Sequence, residues 1–256
     1  MADVKGFWDD RAADPSLDDA QVTHPDVWQR RLEIEMARRC LRATDRAIDV
    51  GCGAGVGTLA FAPLVREIVG IDASSGMIER ARRAESETPA GNVKFDVANV
   101  LELTAEASDL FDVAISIRCL INLPDWASQQ AALKRIAGVL KPGGRLVLVE
   151  GSRDGRLGLN RLREALGLER MPEVWHNRDL DEAELLRALE EDFILRERHP
   201  LGTYDLVARV VHPLLVAPEK PRYDAPINEV AAKATLVHGG SAEISRVLFL
   251  VLERRS

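Results

Sequence analysis

The sequence predicts an α/β fold, a parallel sheet with helices on both faces. Strand-like and helix-like periodicities alternate over about 100 residues from position 46 onward, as successive β–α–β units do. A glycine-rich turn directly follows the first of these strands, where open parallel sheets bind their ligands. With 256 residues, 46% of them hydrophobic and 29% charged, the chain is long enough for one large domain with a buried core.

Taken in order, residues 25–42 read as a helix in which Trp28, Leu32, Met36 and Cys40 recur every four positions and face a core. "RAIDV" (46–50) is the first strand, and "VGTLAFAPL" continues from it as a helix. "EIVGID" (67–72) is the second strand, with Ser74 or Ser75 capping the helix that follows. "NVKFDV" (92–97) and "FDVAISI" (111–117) are the third and fourth. Leu133, Ile136, Ala137 and Leu140 give a helical face that ends at "KPGG", because Pro142 and the two glycines cannot extend it. "RLVLVEG" (145–151) is the fifth strand.

Beyond position 151 the pattern changes. Residues 152–178 read as irregular or weakly helical, and 180–191 as an acidic helix. "FILRERH" (193–199) and "RVLFLVLERR" (246–255) read as strands, separated by a Pro-punctuated stretch too long for a hairpin. The expected organisation is a single domain over 1–256: an N-terminal helical cover (1–45), a ligand-binding core (46–151), two cover insertions (152–178 and 200–245) and a last strand (246–256). Residues 1–30 and both insertions are expected to close over one end of the sheet.

The formal net charge of −7 argues against nucleic acid as a partner, since phosphate binding needs a concentrated basic face. Glutamates interrupt the Arg-rich stretch "WQRRLEIEMARRCLR", which therefore reads as a solvated helix face. Cys40, Cys52 and Cys119 are scattered and form no C-x-x-C pair, as expected of reduced thiols in a cytoplasmic protein. The N-terminus lacks the order of a signal peptide, and no apolar run approaches the ~18–20 residues that cross a bilayer. A soluble protein is expected, with no membrane partner and with room for a homodimer.

The loop "AIDVGCGAGVGT" (47–58) carries the functional information. A dinucleotide fingerprint would be G-x-G-x-x-G, but Val56 stands where the third glycine belongs, and the spacing is Gly51-x-Gly53-x-Gly55. Asp49, just before the loop, would repel a pyrophosphate and attract an ammonium. Asp72 ends the second strand about 20 residues beyond Gly51, the usual place for a carboxylate that accepts ribose hydroxyls. A ligand with a ribose, an ammonium group and no phosphate is implied, and S-adenosylmethionine meets that description.

"IDVGCGAGVG", "GIDASSGMIERA" and "VLKPGGRLVLVE" stand in order over residues 45–150. In these motifs the chain resembles the class I S-adenosylmethionine-dependent methyltransferases. The resemblance implies a Rossmann-like, seven-stranded, mostly parallel sheet whose last strand is antiparallel. It implies that Gly51, Gly53 and Gly55 let the backbone approach the methionine and ribose, that Asp49 holds the ammonium and that Asp72 holds the ribose. Ala73 and Met77 would flank the adenine, and Asn99, with Asp96 as a rival, would take the place of an acid that receives the adenine amino group. Val100 and Ile117 would complete the cofactor site. An arginine before the first strand would meet the cofactor carboxylate; both Arg30 and Arg31 are placed to do so, and Arg31 is the expected contact.

The chain is similar, further, to small bacterial methyltransferases with "RCLINL", "EGS" and "WHN" segments, here 118–123, 150–152 and 175–177. Arg118 would pair with the cofactor carboxylate or an acidic substrate, and its cation would oppose a divalent metal; none is expected. Asn122 would orient a substrate hydroxyl or cap a helix, and Cys119 would be a small packed side chain. His176 is the first candidate base and Glu150 the second. Trp175, Asn177 and Tyr204 are the expected substrate contacts, with Trp8, Trp28, Tyr223 and His212 in the cover. The expected reaction is methyl transfer to a hydroxyl of a small molecule, a sugar or secondary metabolite. The alternatives are N- or C-methylation, a nicotinamide oxidoreductase and a non-catalytic cofactor-binding protein.

Overall fold

The computed structural model describes residues 4–256; residues 1–3, the start of the expected N-terminal cover, lie outside the described residues. Seven strands form one sheet: β1 (Arg46–Val50), β2 (Glu67–Asp72), β3 (Val93–Val97), β4 (Phe111–Ile117), β5 (Leu140–Gly151), β6 (Phe193–Arg198) and β7 (Val247–Arg254). Their order is β3-β2-β1-β4-β5-β7-β6, and β7 runs antiparallel to both of its neighbours. This is the mostly parallel, Rossmann-like sheet with an antiparallel last strand. The strand order reverses between β1 and β4, so the carboxyl ends of those two strands flank the ligand crevice.

Successive side chains of a strand point to opposite faces, and the core divides accordingly. Ile48, Val50, Ala114, Leu146 and Leu148 pack beneath α5 (Trp126–Val139) and α7 (Glu182–Leu189). Ala47, Ile115, Val147 and Phe249 face the other way, toward α2 (Val27–Arg38) and α3 (Val56–Phe61). Asp49 lies between Ile48 and Val50 and so shares the α2 face.

The limits of β1, β2 and β4 coincide with the expected ones. β5 begins earlier, because Leu140 pairs with Phe111 and the Pro-Gly-Gly stretch is absorbed as a register shift before the ladder resumes at Val113 and Arg145. Residues 152–178 are a clearer departure: α6 (Arg153–Ala165) is a full helix, N-capped by Ser152, whose Oγ accepts from Gly155 N. Its buried face carries Gly155, Gly158, Leu159 and Asn160 rather than an apolar stripe. A Cβ on Gly155 would lie 1.7 Å from the Ser245 carbonyl, and one on Gly158 would lie 1.8 Å from that of Glu243. Here contact is made by backbone approach, which hydrophobic periodicity does not register.

Residues 200–245 are helical as well. α8 (Gly202–Leu206), a π turn (Val207–Val211) and α9 (His212–Val216) run on continuously, and α10 (Pro226–His238) packs against α2. Leu201, Tyr204, Ala208, Ala231 and Ala232 belong to the core on the α2 face. This segment therefore covers a sheet face, not only an end of the sheet. Within α2 the buried positions are Gln29, Arg30, Leu32, Glu33, Ile34 and Ala37, whereas Trp28 and Met36, and Cys40 just beyond its end, are only half-buried. The remaining helices are α1 (Val4–Ala13) and α4 (Ser75–Glu87). Among the described residues no helix is long and apolar enough to cross a membrane.

Candidate active site

The crevice at the carboxyl ends of β1 and β4 gathers acids, glycines and two arginines. Asp72 closes the glycine loop onto β2: its Oδ2 accepts from Gly53 N at 2.9 Å, and its Oδ1 accepts from Ser74 N at 2.9 Å. Two carboxylate oxygens offer about four acceptor sites, so two remain for a diol. Burial raises its affinity for a proton, while the Ser74 and Gly53 N–H groups oppose that rise. Gly51 takes φ +74°, and a Cβ there would lie 2.6 Å from that of Cys119. The loop can therefore lie against the turn after β4 only if this position is glycine.

Asp49 is buried and accepts from Thr58 Oγ1 at 2.6 Å. Burial pushes its carboxyl up to about 6, against the pull of Thr58 and of the Arg30 cation. Arg30 and Asp49 converge over α3, since a Cβ on Gly57 would lie 3.6 Å from both the Arg30 guanidinium and Asp49 Oδ2. One turn on, Glu33 is buried and accepts from Gln29 Nε2 at 2.9 Å. Arg30 Nε and Glu33 Oε2 are buried without partners. An orphaned donor and an orphaned acceptor one turn apart on α2 suit a ligand that carries a carboxylate and an ammonium, as the amino-acid tail of S-adenosylmethionine does.

Arg31 is corrected by the structure. It is exposed and stacked over the Trp28 ring at 4.7 Å, on the solvent side of α2, whereas Arg30 faces Asp49. Neighbouring residues on a helix point about 100° apart, so only one of the pair can face the crevice. Arg31→Ala is expected to leave S-adenosylhomocysteine affinity within about twofold, while Arg30→Gln weakens it about tenfold, the scale of one charge-assisted hydrogen bond. Calorimetry on the two variants checks the assignment.

The other expected cofactor contacts have clear placements. Met77 is buried beneath the N-terminal cover with Ala12, Val22 and Ala54, and its N–H donates to Ser74 Oγ; Ala73 is half-buried at the end of β2. Asn99 is exposed and caps a 3-10 turn, accepting from Leu101 N, and Asp96 is exposed beside Arg82. Val100 and Ile117 are buried core residues.

The turn after β4 is held by Glu150. Its carboxylate is fully buried and accepts from the N–H groups of Cys119 (3.0 Å), Leu120 (2.9 Å) and Ile121 (3.2 Å), and from Ser116 Oγ (3.2 Å). The expectation of a base or substrate anchor is thereby corrected, since every contact of this carboxylate shapes the turn. Arg118 adopts φ +59°, alone among the described non-glycine residues. Its guanidinium reaches Glu33 Oε1 only at 3.9 Å. Asn122 is occupied at both ends, donating to Arg118 O at 2.7 Å and accepting from Trp8 Nε1 at 3.2 Å; Asp125, not Asn122, caps the next helix.

The N-terminal segment seals this crevice. Ser74 Oγ donates to Asp9 Oδ1 at 2.5 Å, and the Arg80 guanidinium binds the carbonyls of Ala12, Asp14 and Leu17. A Cβ on Gly53 would meet Thr23 at 2.6 Å, and His24, buried next to Arg118 and Arg30, is held well below its ordinary pKa mainly by burial. His176 lies half-buried among Phe7, Trp8 and Trp175. Burial, then the cations of Arg11 and Arg118, lower its pKa, and its Nδ1 is buried without a partner. Asn177 is half-buried in the same loop, with its N–H on Val174 O.

Tyr204 is corrected outright: it is a core residue whose hydroxyl donates to Asp26 Oδ1 at 2.7 Å. His212 is likewise buried, while Tyr223 is exposed beneath Arg209. Sequence reasoning missed Phe7, Thr23, Glu33, Thr58 and Arg80. An opposite-charge pair three residues apart on α2, Arg30 and Glu33, was a visible signal; the others follow from tertiary placement. An open groove of about 470 Å³ lies elsewhere, between the ends of α2 and α10, lined by Cys40, Leu41, Arg145, Leu236 and Phe249. It contains neither the glycine loop nor its acids.

Residues 47–144 match the family described as "Methyltransferase domain". The chain is 36% identical over 149 residues to O-methyltransferase rstn1 of Aspergillus nomiae, covering 57% of this chain and 60% of that protein. Across rstn1 and the next curated relatives it spans between 42% and 60% of their length. In fold it is similar to the putative methyltransferase bound to the Trm112 methyltransferase activator of Haloferax volcanii (TM-score 0.66, 17% identity, 97% of this chain and 98% of that one). It is similar also to N-methyltransferase NodS of Bradyrhizobium japonicum in complex with S-adenosyl-L-homocysteine (TM-score 0.60, 16% identity, 99% of each chain). Residues 47–144 thus carry a methyltransferase domain, on the fold that NodS shares.

Proposed function

We propose that the protein transfers a methyl group from S-adenosylmethionine to a hydroxyl of a small molecule, a sugar or secondary metabolite, with His176 as proton acceptor. The observation that carries this reading is the unpartnered Nδ1 of His176, on an imidazole kept neutral near pH 7 by burial and by two cations, beside the turn that ends β4. The relative rstn1 is named an O-methyltransferase, which agrees in reaction class.

When bound, S-adenosylmethionine supplies a methyl group already activated on a sulfonium. The chain's own work is then to align the acceptor and exclude water. Asp72 would hold the ribose hydroxyls, Arg30 the carboxylate, and Asp49 with Glu33 the ammonium. The α1 cover, tied down by Asp9 and Arg80, would keep water out. His176 Nδ1 would take the hydroxyl proton as the new bond forms.

The test is a screen of hydroxylated acceptors with methyl-labelled cofactor. Label in a methyl ether is expected; label only on nitrogen or carbon overturns the O-methyl assignment. In the same assay activity is expected to survive EDTA without added magnesium, because the Arg118 cation at the end of β4 would oppose a divalent ion bound beside it. Loss with EDTA and rescue by magnesium would show that Arg118 turns away. Asp72→Ala is expected to weaken S-adenosylhomocysteine binding by about 1.5–3 kcal/mol, the range for a hydrogen bond to a charged group. Unchanged affinity in calorimetry, with an intact fold, would remove the ribose assignment.

A further inference from the structure

Four rings converge where the α1 cover meets the loop after α6. Phe7 lies on the face of His176, with centroids 4.4 Å apart and planes at 27°. Trp8 meets Phe7 edge-on at 4.9 Å and 69°, and Trp175 meets it edge-on at 5.2 Å and 82°. Trp8 and Trp175 also stand edge-on to His176, at 5.3 and 5.2 Å. Phe7 therefore occupies a slot with one flat aromatic wall and two edge walls, the arrangement that ring quadrupoles favour.

Two of the walls and the occupant have different anchors, while Trp8 shares α1 with Phe7 and is tied to Asn122. His176 and Trp175 belong to a loop fixed to the catalytic end, where Arg178 N donates to Ile121 O and Gln129 Nε2 donates to Arg178 O. Phe7 belongs to α1, a helix with one buried residue, Ala12. At the edge of the slot His176 Nδ1 has neither solvent nor a partner. Trp175, by contrast, leaves 58% of its surface in solvent, a large exposed apolar area.

We infer that the slot filled by Phe7 is the acceptor subsite and that it takes a planar aromatic ring, with the Phe7 side chain swinging out as the acceptor enters while α1 and Trp8 stay docked. This rests on the methyl-transfer reading above and narrows its acceptor to hydroxylated arenes. Phe7 shows by its own fit that a six-membered aromatic ring is accommodated there. As an intramolecular competitor, it lowers the apparent affinity of any ring that must displace it.

The test is calorimetric binding of 2-naphthol to the complex with S-adenosylhomocysteine, with decahydro-2-naphthol as the saturated control. 2-Naphthol is expected to bind at least tenfold more tightly than the control. Trp175→Ala and Trp175→Leu are both expected to weaken it by roughly tenfold, because leucine restores bulk but not the ring. Phe7→Ala is expected to act in the opposite sense, tightening 2-naphthol by about threefold or more, because a competitor is removed. Retained S-adenosylhomocysteine affinity shows that each variant is folded.

Equal binding of the two alcohols overturns the proposal, as does rescue by Trp175→Leu or weakening by Phe7→Ala. Because the readout is binding, the two readings fail separately. Naphthol binding with these signs but no methyl transfer to any hydroxyl would leave the slot and remove the O-methyl reading. Methylation of saturated alcohols without naphthol binding would do the reverse.

Discussion

Replacing His176 with alanine is expected to cut turnover by roughly 10²–10⁴ while leaving S-adenosylhomocysteine affinity unchanged, the usual contribution of a positioned general base. The imidazole carries the buried, unpartnered nitrogen of the aromatic slot, Nδ1. Burial, Arg11 and Arg118 hold its pKa below the ordinary 6.5, so it is unprotonated at neutral pH. The wild-type rate should therefore rise through a pKa below 6.5 and then level off. His176→Ala should lose that acid limb along with the rate. Glu150 is unable to substitute, because its oxygens are taken up by three backbone N–H groups and Ser116. Near-normal turnover in the alanine variant would place the base elsewhere.

Glu150→Ala is expected to destabilise the protein by about 3–5 kcal/mol, seen as a lower urea midpoint. Removing this carboxylate strands several donors in a buried turn, and each unsatisfied group costs about 1–3 kcal/mol. Arg118 would also lose the clamp that keeps it in a left-handed conformation, which is costly for a residue with a side chain. The pH dependence has a definite sign. Burial pushes the Glu150 carboxyl up from 4.5 to about 7, against the Leu120 and Ile121 N–H groups and Arg118. Between those values the folded state holds a proton that the unfolded chain releases. The resulting stability is complete below pH 4.5 and lost as pH rises through 7. Glu150→Gln should flatten that part of the stability profile, and a profile unchanged from wild type would contradict the assignment.

What the sequence revealed follows the range of the interactions. β1, β2 and β4 were legible to the residue because each is a short apolar run ended by a turn signal. Asp49, Asp72 and the glycine spacing were legible because a loop's chemistry is local. A serine cap at Ser74 or Ser75 was visible for the same reason, and the structure selects Ser74. α6 was missed because its packing face is built on Gly155 and Gly158, whose signal is a close backbone approach rather than apolar spacing. Arg30 and Arg31 were indistinguishable without the rotation of α2 about its own axis. Tyr204 was placed in a cover because Pro-rich sequence looks like loop, whereas α8 packs it into the core. The segments 118–123, 150–152 and 175–177 do come together, but mainly as architecture. Glu150 holds the N–H groups of the first, Ser152 caps α6, and the third continues into Arg178, which returns a hydrogen bond to Ile121. Phe7 had no signal in the sequence, since α1 carries no apolar stripe that would fix which face it turns inward.

The central claim is that the crevice between β1 and β4 is built for an amino-acid tail and a ribose rather than for a pyrophosphate. Titration calorimetry of the unmodified protein with S-adenosylhomocysteine and, separately, with NAD tests it most directly. Saturable one-to-one binding of S-adenosylhomocysteine with no heat from NAD is the predicted result. Binding of NAD without binding of S-adenosylhomocysteine would contradict it.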